Sequence, residues 1–238
     1  MASNNSNDEN CQSALLLVKR AVAEKHNGAF LDSVQSFSEF LEVIDWQDHR
    51  QKAYCLSYVP MELVALAAHT TEAETLLSKT VESAIAGSKN GDFRLEHFQL
   101  ASLIFRLRNS PHELAELFYS FPYGEFKCEA YQHAQWALVA VADYETCGKF
   151  LSIDESLKTV ESKIQLLEVQ PPKREIGQTS GRRYRLLVSI FQIIALHATT
   201  GRREEAMDIR DRLYSSNIHL RSREKETLNA ALRGVFPS

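Results

Sequence analysis

The sequence predicts an all-α protein, and three observations predict it: apolar residues recur three and four positions apart, helix-start signatures precede those runs, and glycines follow them. Residues at that spacing form a stripe along one side of a helix, which has to be buried against another element. Phe30, Val34, Phe37, Leu41 and Ile44 keep the pattern, as do Ile153, Leu157, Val160, Ile164 and Leu167. No comparable period-two alternation of strands stands beside them.

Taken in order, the first helix is expected over 10–26 and ends before Gly28, a residue that adopts the left-handed conformation at little cost. The second, 29–44, carries the first stripe. Pro60 falls inside the third, 48–69, where it removes a backbone donor and crowds the preceding turn, so a kink or split is expected near Val59. Thr71 to Glu74 has the S/T-x-x-E form and opens 71–87, followed by 92–108. Ser110-Pro111-His112-Glu113 joins a capping serine, a first-turn proline and a glutamate able to bond back to the cap, opening 111–121. Gly124 and Gly148 bracket 124–147, and Ser152 to Glu155 opens 153–168. The remaining segments are 181–199, 202–215 and 221–234. Short loops between about eleven helices imply antiparallel hairpins beginning near 10, 48, 92, 124 and 181, with a final cap helix. Periodicity identifies a buried face but not its neighbour, so stacked hairpins in an α-solenoid and an irregular helical bundle both satisfy it.

Residues 1–9 read as a disordered tail, and 10–238 as a single helical-repeat domain with a long loop at about 169–181. That loop opens QPPKREIGQTSGRRYR, Gln170 to Arg185. Formal charge is 27 − 31 = −4, but from Pro171 onward 13 Lys and Arg face 7 Asp and Glu, against 14 and 24 before it. The N-terminal MASNNSNDENCQS lacks the basic then apolar order of a secretory leader. The most apolar run, LLVSIFQIIAL, is interrupted by Ser189 and Gln192 and falls well short of the roughly 20 residues that span a bilayer. The expectation is a cytoplasmic protein without a membrane partner. Cys11, Cys55, Cys128 and Cys147 form no CxxC or Cys/His ligand spacing and read as reduced thiols.

One segment, IFQIIALHATTGRREEAMDIRDRL from Ile190 to Leu213, resembles a tetratricopeptide repeat, with a turn glycine at Gly201, a small residue at Ala206 and a large aliphatic residue at Ile193. Around Gly28, Ser33 takes the small position and Phe37 the aromatic one. Ile194, His197, Arg210 and Glu24 depart from the family pattern. The resemblance covers two units and implies stacked helical hairpins with a concave face for peptides or partner helices.

Chemistry-bearing motifs are sparse. Glu129 with His133, and His112 with Glu116, are i,i+4 pairs rather than the Glu-x-x-His of helical di-metal sites. There is no GxSxG elbow and no phosphate-cradling glycine loop. Cys147 reads as a small buried hydrophobe. No catalytic residue, metal or cofactor is expected. In FYSFPYGEF, Phe118 and Phe121 keep register with Leu114 and Leu117 and read as core, while Tyr119 and Tyr123 are interface candidates, each an apolar ring with a polar tip. Arg182, Arg183, Tyr184 and Arg185 are the second candidate group, because planar guanidinium groups grip carboxylates or phosphates in pairs. The reading is a non-enzymatic protein-binding scaffold, adaptor or inhibitor that takes a protein or peptide partner in a groove between hairpins. The alternatives are an RNA-associated protein using its basic last quarter, and an enzyme centred on His133 and Glu129.

Overall fold

A computed structural model describes residues 4–90, 94–120, 124–169 and 176–237. The protein is all-α, and among the described residues every regular element is a helix. Its contacts gather into two compact units, Met1–Ala137 and Leu138–Ser238.

In the first unit, α1 (Asn4–His26) pairs with α2 (Phe30–Val43). Next come α3 (His49–Ala53), a π-helical turn (Tyr54–Tyr58) and α4 (Val59–Ala67), which pairs with α5 (Thr71–Asn90). Then α6 (Leu95–Leu107) pairs with α7 (Pro111–Ser120), and α8 (Glu125–Ala140) begins in the first unit and ends in the second. The second unit contains α9 (Tyr144–Phe150), α10 (Ile153–Glu168), α11 (Ile176–Thr199), α12 (Arg203–Tyr214) and α13 (Ser222–Ala231).

Four turns between consecutive helices share one backbone solution. At the ends of α1, α6, α8 and α11 a single residue takes the left-handed conformation: Gly28 (φ 77°), Asn109 (54°), Ala142 (60°) and Gly201 (81°). The N–H of the following residue then reaches back five positions, from Ala29 to Glu24, Ser110 to Phe105, Asp143 to Leu138 and Arg202 to His197, each at 2.9 Å. The left-handed residue's own N–H returns three positions. This pair of bonds satisfies carbonyls that a helix end would otherwise leave bare. Gly234 (φ 83°) repeats the arrangement after α13.

Ala142 is where sequence and structure part. The expected 124–147 helix is broken there, and Asp143 caps α9 by accepting the Thr146 N–H at 3.1 Å. Alanine gives no turn signal, yet the cap and the return bond from Asp143 hold it at positive φ. Near Pro60 the expected kink takes the form of the π-helical turn, in which the Val59 N–H bonds back to Tyr54. The wider turn leaves room ahead of a ring that cannot donate. Two boundaries also move: α1 begins at Asn4 rather than 10, and α11 begins at Ile176 rather than 181, so the end of the expected long loop is helical. Residues 170–175 of that loop lie outside the described residues.

The expected stripes form the core. Phe37 is fully buried with Phe40, and Leu63, Leu77, Phe98 and Phe118 pack within the same unit. Burial of each such side chain contributes about 1.5–3 kcal/mol. Close approach of α1 and α2 depends on small residues: Ser33 and Ser36 are completely buried, and their hydroxyls donate to the Ala21 carbonyl at 2.8 Å and to Glu24 at 2.7 Å. In the second unit the LLVSIFQIIAL run supplies Leu187, Ile190, Phe191, Ile194, Ala195 and Leu196 to the core, most of them in one cluster with Val160 and Ile164.

The turn geometry sets a direct test. Ala142→Gly removes the left-handed cost at that residue and should raise stability by about 1 kcal/mol, while Gly28→Ala, whose Cβ would meet no atom within 4 Å, should lower it by a similar amount. Urea titrations of the two variants read both changes; a loss in Ala142→Gly would contradict the turn assignment.

Candidate functional site

α2 and α5, each the second helix of its hairpin, lie in contact, and a groove of about 480 Å³ opens between them. Val34 and Leu41 from α2, Leu76 from α5 and Leu100 from α6 form its apolar lining. Trp46, in the connection after α2, and His97, in the first turn of α6, close one side, with ring centroids 5.9 Å apart and edge-on. Glu42, Glu72 and Lys79 supply the charge on the lining. The Thr70 hydroxyl and the Glu72 N–H hold the Glu72 carboxyl below its ordinary range, so it stands as a carboxylate. On α5 the lining runs from Glu72 to Ser83, about 16 Å along the helix axis. That length suits two to three turns of helix or about five extended residues.

Of the sequence candidates, Tyr119 is 50% exposed at the end of α7, its ring 6.3 Å from the buried Phe118. Tyr123, and the expected core residue Phe121, lie outside the described residues. Arg182, Tyr184 and Arg185 are exposed on α11. Arg183 is committed internally: its guanidinium forks onto Glu224 at 3.2 and 2.9 Å and also donates to the His219 carbonyl at 2.9 Å. The groove residues Trp46 and His97 were not among the candidates. A lone tryptophan in the IDWQD connection was the available signal, but its pairing with His97 is a tertiary event.

The remaining polar clusters are built inward. His133 faces α6, with Nε2 3.0 Å from Gln99 Nε2, and its backbone carbonyl accepts the Ser102 hydroxyl at 2.9 Å. Burial and the nearby Arg106 push its pKa down. Its neighbour Glu129 is exposed, so this pair forms no enclosed acid–base site. Lys127 is buried; its ammonium donates to the Phe118 carbonyl at the end of α7 and lies 4.1 Å from the centre of the Phe118 ring. Desolvation lowers its pKa to about 8.

Ser156, His197 and Glu205 make a chain with the connectivity of a serine hydrolase relay, with Nε2 to the serine hydroxyl at 2.9 Å and Nδ1 to the carboxylate at 2.8 Å. His197 is 0% and Ser156 8% exposed, so no substrate carbonyl can approach the hydroxyl. Its work is structural: it joins α10, α11 and α12, while Arg202 donates to the Leu151 and Gly148 carbonyls at 2.8 and 2.9 Å and so finishes the end of α9. The Cys55 thiol is buried and pushed up to about 12 by desolvation, which makes it inert at neutral pH. Among the described residues no three His, Cys, Asp or Glu side chains are placed to hold a metal, and no helix is long and apolar enough to cross a membrane. Comparison of the chain with protein-family models, curated proteins and solved structures finds no match.

Two titrations follow from these clusters. Burial lowers the folded pKa of His197 below its unfolded value of about 6.5, with Glu205 opposing and Arg202 assisting. The native state therefore binds fewer protons, so the contribution is whole above about pH 6.5 and falls away below it, by up to about 1.4 kcal/mol per pH unit. Urea midpoints taken at about pH 7.5 and about pH 5.5 should fall more in the wild type than in His197→Gln; equal falls would refute the account. For Lys127, the ¹³Cε resonance should titrate with a midpoint of about 8, against about 10.4 for a solvated lysine.

Proposed function

We infer that this protein is a non-enzymatic binding scaffold of stacked helical hairpins, and that the groove between α2 and α5 receives a segment of a protein partner. The groove carries the reading: it has an apolar lining, a tryptophan at one side and a length matched to a short peptide. The inward use of the Ser156, His133 and Lys127 clusters favours binding over catalysis. The recurring three-residue hairpin turns support the tetratricopeptide-like arrangement that the segments around Gly28 and Gly201 suggest.

The electrostatics of the first unit define its partner. Residues 1–137 carry 11 Lys and Arg against 18 Asp and Glu, a net of −7, and Glu42 and Glu72 stand on the groove itself. The complementary segment has a large apolar side chain for the Leu41, Leu76 and Trp46 surface and a basic residue beside it.

Selection of displayed peptides on the whole protein should enrich sequences of that kind. Trp46→Ala and Leu41→Ala should each weaken their binding by about tenfold or more, as expected for central anchor residues, without loss of helical circular dichroism. Peptides that bind wild type and both variants equally would remove the groove from the reading.

A further inference from the structure

Arg183 assembles a second surface. Its bond pair with Glu224 is well shielded, the two side chains being 26% and 14% exposed, and Glu224 also accepts the Arg221 N–H at 2.8 Å. Burial disfavours the Glu224 carboxylate, but the Arg183 guanidinium and the Arg221 N–H outweigh it and hold its pKa low. The first half of α11 is thereby fastened to the segment that leads into α13, with the Glu224 charge neutralised from within.

The cations on either side of this fastening point outward. Arg182 and Arg185 flank Arg183, Arg221, Arg223 and Lys225 flank Glu224, and all five are exposed. None of the five side chains is in an ion pair among the described residues. Glu226 is the acid that stands next to them in sequence. The sequence separates these residues by about forty positions; the packing of α11 against α13, with Arg183 reaching His219 and Glu224, brings the two segments together.

We propose that this face of the second unit binds an acidic segment of a protein partner. Guanidinium groups take carboxylates in planar, paired contacts, and the start of α13 adds the positive end of a helix dipole. The patch offers one exposed ring, Tyr184, whereas single-stranded nucleic acid is held by stacking successive bases on several. The chain's net charge of −4 also repels a long polyphosphate that extends beyond the patch, which a short acidic segment escapes.

The test measures binding of a labelled oligoglutamate, and of an oligouridylate of equal charge, to the whole protein. The oligoglutamate should bind at about 50 mM salt and weaken steeply towards about 200 mM. Changing Arg182, Arg185, Arg221 and Arg223 together to Gln should cut its affinity about tenfold or more. The control Lys149→Glu with Lys158→Glu, which alters net charge equally at exposed sites of the same unit, should change it less than about twofold. Should the quadruple variant lose helical circular dichroism, Arg182→Gln/Arg185→Gln and Arg221→Gln/Arg223→Gln are assayed separately, and each must weaken binding. An equal loss in the control, no loss in the arginine variants, no binding at low salt, or tighter binding of the oligouridylate would overturn the proposal. Trp46→Ala should leave oligoglutamate binding unchanged, which separates this surface from the groove.

Discussion

The left-handed residue that ends α1, α6, α8 and α11 is the constraint on which the turns after those helices rest. A helix that stops inside a packed unit leaves carbonyls that must find donors, and the cheapest donors are the next two backbone N–H groups once one residue takes positive φ. Gly28, Asn109, Ala142 and Gly201 all adopt it, and the following helix begins two residues later each time. The turn fixes the close approach of α1 with α2 and of α11 with α12, and that approach selects Ser33 and Ala206, each five positions after the left-handed residue and each buried. A larger residue can occupy the same place, as Leu114 does after Asn109, where the surrounding packing accepts it.

Polar side chains then determine which neighbours meet. Hydrophobic burial is non-directional, so it stabilises many arrangements of amphipathic helices almost equally. Buried hydrogen bonds are directional and costly to leave unmade. Ser33 to the Ala21 carbonyl, Ser102 to the His133 carbonyl, and the Ser156, His197 and Glu205 chain each join two or three helices at one register. The same reasoning explains why charged residues that look functional are structural. Arg183 and Arg202 each spend their donors on backbone carbonyls and a carboxylate, and Lys127 completes the end of α7.

The sequence was informative about local structure. The stripes of α2 and α10, the Ser152 cap, the proline opening α7 and the stop at Gly28 all lie close to their expected places, because each is set by residues within a turn or two. The N-cap expected at Thr71 belongs to Thr70, whose hydroxyl accepts the Glu72 N–H at 3.1 Å. The break at Ala142 went unforeseen, because an alanine at positive φ is sustained by its surroundings rather than by its own preference. Among the candidate residues, Arg182, Tyr184 and Arg185 face outward while Arg183 turns in, and no local pattern distinguishes one arginine of that run from the next.

What the sequence by itself determined, therefore, is the helical class, most helix positions and the change from acidic to basic composition, since periodicity, caps and charge are properties of neighbouring residues. Tertiary structure alone decided that Leu41 and Leu76 share a groove with Trp46 and His97, and that Arg183 joins the stretch of Arg182 and Arg185 to the stretch of Arg221 and Arg223. Both depend on contacts across long stretches of chain, which follow from how whole helices pack and from where single polar groups find partners.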